Sequence, residues 1–354
     1  MRKIVWLFFI AIFACAGWIG WVLLTPVAPN GQTFVMLRPG YSTRRIAYEL
    51  KNAGVIRSEE AFIFWRYIRH HRSLKAGEYL FDKPASIIEI QKRLRRGDVY
   101  FHTVVVPEGF TMFDIARTVE AAGLGPAADF LKEAQSDTAL ISDLAPDAPS
   151  LEGYLFPDTY EFSRMQTMQE MVAAMVKQFR QVAHQIALIK TQTQTLAGGA
   201  SESEAGAPKA ALPIVIESEV ERTVIMASIV EKETAVAEER PVVASVYYNR
   251  LAKRIALDAD PSIIYAELLA GTYTGALHHD DMRFHSPYNT YIHAGLPPGP
   301  IGNPGKSALE AAMHPAQSGY YYFVADAAGH HRFARNIEEH NDNVAAYRRA
   351  MRGK

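Results

Sequence analysis

Apolar and polar positions divide this chain into three regimes. The first is the run from Ile4 to Leu24, which has no charged side chain. As a helix it spans about 31 Å, the thickness of a bilayer's hydrocarbon core. Trp6, Trp18 and Trp21 lie near its ends, where amphipathic rings favour the membrane interface. Arg2 and Lys3 precede the run, and no charge follows until Arg38. The positive-inside rule then predicts an uncleaved single-pass anchor with a cytoplasmic N-terminus and everything after Leu24 outside. A cleaved signal peptide fits less well, because its apolar region is shorter and ends at small residues. Phe13 is also too bulky for lipoprotein processing at Cys15.

In the second regime short β-branched strands alternate with amphipathic helices. Thr25–Gln32 holds Pro26, Pro29 and Gly31 and reads as a tether. A repeat with an offset of 69 follows: Val35-Met36-Leu37, Gly40, Ser42, Ile46-Ala47 and Ala53-Gly54 are echoed by Val104-Val105-Val106, Gly109, Thr111, Ile115-Ala116 and Ala122-Gly123. Each copy predicts a strand, a glycine turn, an N-capping hydroxyl and a helix closed by glycine. Two copies are too few for a solenoid and suggest small α+β units. Glu59–Arg72 and Ser86–Arg96 are predicted helices, and Ala76–Phe81 a strand.

The third regime has longer helices. Met168–Ile189 is one, and Glu217–Arg254 reads as helix with a break near Pro241. Between them, Thr191–Pro213 is rich in Ala, Gly, Ser, Thr and Gln and reads as a flexible surface excursion. The expected domains are an anchor and tether (1–30), a small α+β module (31–98) and a mixed α+β region (99–354).

Composition narrows the function. The 354 residues carry 37 Lys and Arg against 38 Asp and Glu, so there is no global basic footprint for nucleic acid. The charge is uneven, however: residues 31–98 hold 14 Lys and Arg against 7 Asp and Glu. That excess suits anionic headgroups beside a membrane, and equally an ordinary solvated surface. One cysteine excludes an internal disulfide framework and a cysteine-rich metal site. No Walker loop, GxGxxG, GxSxG or SxxK motif occurs. Eight of the twelve histidines follow residue 277, beside Asp280 and Asp281, but without HExxH or comparable spacing, so no metal and no cofactor are expected.

Two segments carry candidate chemistry. In Val224–Ala235, Glu231 follows seven uncharged residues, with Ala227 and Ala235 one turn to either side. Such a carboxyl in an open apolar-walled groove would have a raised pKa, as a general acid needs. From periodicity alone it reads rather as a half-exposed residue or one that caps a neighbouring segment. Glu233 lies about 200° around the helix and cannot pair closely with it. The second segment, Asp260 to Gly305, includes Tyr288-Asn289-Thr290-Tyr291 and a Gly/Pro-dense loop from Gly295 to Gly305. It reads either as a rigid polar-aromatic wall suited to sugars or as a turn-rich connection.

These motifs together resemble the endolytic murein transglycosylase (YceG-like) family. The resemblance is carried by Ala227–Thr234, Asn249-Arg250, Asp260-Pro261, Tyr288–Tyr291, Gly295–Ile301, His314-Pro315-Ala316, Tyr322–Ala325 and Glu152–Tyr160. It implies an α+β fold with an N-terminal transmembrane helix, a LysM-like module and a catalytic region held at the inner membrane, facing the periplasm. It also implies endolytic cleavage between N-acetylmuramic acid and N-acetylglucosamine, closing a 1,6-anhydro ring and ending strand growth beside penicillin-binding synthases. The catalytic glutamate is then expected at Glu231. Tyr288, Asn289, Tyr291 and Asn303 are expected to bind substrate, and Glu233, Asn249, Arg250 and Asp260 to support the site. The rival function is a membrane-anchored, non-catalytic glycan-binding scaffold for wall synthases.

Overall fold

The computed structural model describes residues 2–69, 73–189 and 219–352. It is an α+β protein of two compact units. The first comprises Met1–Val104, Ala122–Leu124 and Glu161–Thr167; the second is Val105–Ala121, Gly125–Tyr160 and Met168–Lys354.

The first unit begins with α1 (Arg2–Leu24), which forms over the uncharged run. Several of its side chains lie outside the described residues, and among the described ones no helix is long and apolar enough to cross a membrane. β1 (Thr33–Leu37), α2 (Thr43–Asn52), α3 (Glu59–Ile68), β2 (Gly77–Phe81) and α4 (Ile87–Arg96) follow. β1 and β2 pair antiparallel, Val35 opposite Tyr79. Ser42, Ser58 and Ser86 cap α2, α3 and α4 by accepting backbone N–H groups of the first turn, which leaves fewer orphan donors there. Leu50, Phe62, Tyr79, Ile90 and Leu94 form a buried core, which Val22 and Leu23 at the end of α1 join. α3 ends at Ile68, and the rest of the predicted helix runs into residues outside the description. The expected tether is fastened rather than loose. Val27 bridges Ala85 through paired backbone bonds, and the Arg57 guanidinium donates to the Thr25 and Pro26 carbonyls.

The repeat folds alike in its two copies. β3 (His102–Val105) precedes Gly109 and α5 (Met112–Ala121), as β1 precedes Gly40 and α2. Both glycines are left-handed, at φ +81° and +78°. Thr111 replaces Ser42, its hydroxyl accepting from the Asp114 N–H.

The second unit holds α5, α6 (Ala127–Ser136), α7 (Met168–Gln185), α8 (Glu219–Glu233), α9 (Arg240–Ala252), α10 (Asp260–Ala270), α11 (Lys306–Met313), the hairpin β5 (Tyr322–Ala325) and β6 (His331–Ala334), and α12 (Ile337–Arg352); β4 (Thr159–Phe162) precedes α7. α8 is the central helix. Residues 223–230 are all buried, and α9, α10 and α11 pack around it. This explains its apolar character on every side. The predicted break near Pro241 falls earlier: α8 stops at Glu233, and Pro241 sits in the first turn of α9, where a missing N–H costs nothing. The predicted excursion Thr191–Pro213 lies outside the described residues.

Glu152 is the most deeply buried acid of this unit. Its carboxylate accepts from the Met112 N–H and the Asn303 amide. Burial pushes its pKa up to about 8, against those donors. The folded state therefore holds this proton more tightly than the unfolded chain, whose glutamates titrate near 4.5. Its stabilising contribution is complete below about pH 4.5 and is lost as pH rises through about 8. Urea midpoints should fall over that window in the native chain, and Glu152→Gln should flatten the slope.

Candidate active site

Successive helical residues point about 100° apart, so the last residues of α8 face different surroundings. Glu231 is not in an open groove. Its side chain is 5% exposed, and one oxygen accepts from the Arg240 guanidinium at 2.6 Å. The other accepts from the Gly305 N–H at 2.9 Å. Arg240 also reaches Glu108 at 3.5 Å. A Cβ on Gly305 would come within 1.9 Å of the Glu108 carboxylate, so only glycine allows this approach. Ala227, expected on a groove wall, is fully buried. Burial pushes the Glu231 pKa up, while the Gly305 N–H and Arg240 oppose it. The carboxyl is nonetheless tied on both oxygens. Glu231, the residue expected to carry the acid chemistry, has the geometry of a brace between α8, α9 and the loops around Glu108 and Gly305.

Glu233 occupies the position expected of Glu231. It lines a cavity of about 410 Å³ together with Tyr247, Arg250, Asp258, Asp260 and Tyr291. Tyr322 and Phe323 of β5 add an aromatic wall. The Tyr247 hydroxyl donates to one Glu233 oxygen at 2.7 Å. Burial pushes the Glu233 pKa up to about 7; the Tyr247 bond lowers it and the Asp260 charge raises it. The carboxyl therefore exchanges a proton near neutrality, as a group acting first as acid and then as base requires.

The other predicted residues separate into two groups. Tyr291 and Asp260 line the cavity, and the Tyr291 hydroxyl donates to Asp260. Arg250, expected to support the site, pairs with Asp258 and donates to the Ala256 carbonyl. It remains a cavity wall beside the Tyr322 ring. The remaining four are held by contacts within the fold. Asn289 is fully buried and donates to the Met282 and Phe284 carbonyls. Asn303 is fully buried between Phe110, Leu155 and Glu152. Tyr288 packs against Tyr265, its hydroxyl tucked under Gly299. Asn249 ties α9 to the Ser318 and Tyr320 carbonyls. Each amide satisfies backbone groups of a loop without regular structure, which would be costly to bury unpaired. Tyr247 and Asp258 were not anticipated; the only sequence signal for them is their proximity to Asn249-Arg250 and Asp260-Pro261.

The clustered histidines disperse. His330 and His331 both bond Glu239, while His340 stacks on Tyr322 at 5.2 Å. Among the described residues no group of three or more His, Cys, Asp or Glu is placed to hold a metal.

A carboxyl of raised pKa on an aromatic and acidic cavity wall suits acid–base chemistry of the kind used to cleave glycosidic bonds. Comparison with known proteins agrees with this class. Residues 35–346 match the model of the YceG-like family. The chain is 30% identical to an endolytic murein transglycosylase of Bacillus subtilis, over 92% of this chain and 88% of that protein. It is also 30% identical to an endolytic murein transglycosylase of Streptococcus pneumoniae, spanning 64% of that longer protein. A crystal structure of a YceG-like protein from Listeria monocytogenes superposes with a TM-score of 0.55 at 31% identity, covering 88% of this chain and 98% of that one. The chain belongs to the YceG-like family.

Proposed function

We propose that this chain cuts peptidoglycan glycan strands internally, between N-acetylmuramic acid and N-acetylglucosamine, with Glu233 as its acid and base. By family the chain is a lytic transglycosylase. The observation that carries the residue assignment is the Glu233 carboxyl, buried on the cavity wall and held by Tyr247. Tyr247 fixes one carboxyl oxygen, and the other presents its proton to the cavity. That proton passes to the glycosidic oxygen as the bond to C1 breaks. The sugar's own N-acetyl group stabilises the developing oxocarbenium ion. The Glu233 carboxylate then takes the C6 hydroxyl proton, and O6 closes on C1 to give the 1,6-anhydro ring. The nucleophile is intramolecular, so positioning replaces activation of water. One carboxyl carries both transfers.

Asp260, in the same cavity, supports a second reading in which it activates water and the product is a reducing end. Mass analysis of new strand ends separates the readings. Anhydromuramyl ends, lighter by one water, support lytic cleavage; reducing ends support hydrolysis; no new ends leave the glycan-binding scaffold.

The pH profile follows from Glu233, whose carboxyl must be protonated when substrate binds. With its pKa at about 7, kcat/KM for anhydro-end release should be flat in mild acid and fall above about pH 7. A flat profile between pH 6 and pH 9 would exclude Glu233 as the acid.

The uncharged run Ile4–Leu24 supports an inner-membrane anchor with the second unit in the periplasm. Burial of Val22 and Leu23 in the first unit's core would then hold that unit at the membrane surface. Its β–α–α–β order supports a LysM-like module. Work beside penicillin-binding synthases, ending nascent strands, fits that placement.

A further inference from the structure

A second cavity, of about 580 Å³, opens beside α10 in the same unit, and the mechanism does not use it. Ile264, Leu268, Tyr265 and Tyr273 make one side of it apolar, and Thr111, Asp114, Arg117 and Lys232 the other side polar. Lys232 adds a positive charge, which the Glu231 and Glu152 carboxyls also feel. Arg117, also at this cavity, is already paired with Asp114, whereas the Lys232 ammonium has no hydrogen bond or ion pair among the described residues. A recess with one apolar side and an ammonium free of direct hydrogen bonds suits a ligand that is aliphatic along part of its length and carries a carboxylate.

The position is as informative as the chemistry. Glu233 and Asp260 line the first cavity; their chain neighbours Lys232 and Pro261 line the second. On both sides the boundary is one peptide step, about 3.8 Å between Cα atoms. The two recesses therefore meet the same stretches of chain, at the end of α8 and at the start of α10, and a sugar held against Glu233 lies beside that boundary. In peptidoglycan the substituent of that kind is the peptide stem on the lactyl group of the muramyl residue. It has methyl side chains and free carboxylates. Bare N-acetylglucosamine offers neither.

We infer that the cavity beside α10 is a peptide-stem subsite, with Lys232 receiving a stem carboxylate and the Ile264–Leu268 face receiving its aliphatic part. The inference rests on the catalytic reading of Glu233, because that reading places the sugar.

The test uses the full chain on two substrates: glycan strands bearing stems, and the same strands stripped of stems by an amidase. The native chain should release anhydro ends from stem-bearing strands with a kcat/KM about tenfold higher, one charge-assisted contact's worth. Lys232→Gln should bring that value down to the stripped-strand value and leave the stripped-strand value unchanged. Ile264→Asp, which places a like charge against the carboxylate, should do the same at a second position. Equal rates on both substrates in the native chain would overturn the subsite. So would variants that slow both substrates alike. Absence of anhydro ends from either substrate with the native chain would instead overturn the catalytic reading, and the subsite with it.

Discussion

Glu233→Gln should lower the release of anhydromuramyl ends by about 10²–10⁴-fold, the usual contribution of a positioned general acid and base. The amide matches the carboxyl in shape and can still accept from the Tyr247 hydroxyl, so the fold and glycan binding should persist. Strand binding by sedimentation and the thermal midpoint should stay near native values while product formation disappears. Glu231→Gln is the informative contrast. It touches the brace rather than the cavity, so it should retain most of the specific activity of the folded fraction and lose stability instead. If Glu231→Gln were inert and Glu233→Gln active, the acid would belong to Glu231 and the cavity would not be the site.

Arg240→Ala should be the most destabilising single change around the site. Arg240 and Glu231 are 7% and 5% exposed, so the pair is buried and only weakly screened. Removing the guanidinium strands the Glu231 carboxylate with the Gly305 N–H and leaves Glu108 without its cation. Stranding one partner of a buried ion pair costs about 3–5 kcal/mol. For a unit of this size that is a fall in Tm of about 10 °C. Calorimetry checks it. The double variant Arg240→Met with Glu231→Met removes both charges and should recover much of the loss, because a well-packed apolar pair is often as stable as a buried ionic one. A double variant as unstable as Arg240→Ala would show that packing, not the stranded charge, sets the cost.

Local signals were readable in the sequence wherever neighbouring residues determine them. The repeat at offset 69 gave matching strands, left-handed glycines and hydroxyl caps, because turns and caps are short-range. The family motifs were equally plain. The role of each acid in Ala227–Thr234 was not. Glu231 and Glu233 follow a stretch of helix, residues 223–230, that is buried on every side, so neither apolar periodicity nor small neighbours say which of them meets a cavity. The answer comes from residues far along the chain: Arg240 and Gly305 claim Glu231, whereas Tyr247 and Asp260 surround Glu233. Asn289 and Asn303 show a related ambiguity. An amide in a Gly/Pro-rich loop serves the loop's own backbone as readily as a sugar's N-acetyl group, and both lie fully buried doing the former. The break after α8 was also misplaced, because Pro241 suits the first turn of a new helix as well as the end of an old one.

Three consecutive side chains at the end of α8 serve three masters: Glu231 a structural clasp, Lys232 one recess and Glu233 another. Their division of labour depends on the phase of the helix alone. Deleting a single residue upstream would turn each through about 100° and hand every job to the wrong neighbour. Evolution can therefore tune this trio by exchanging letters, but not by changing how many there are.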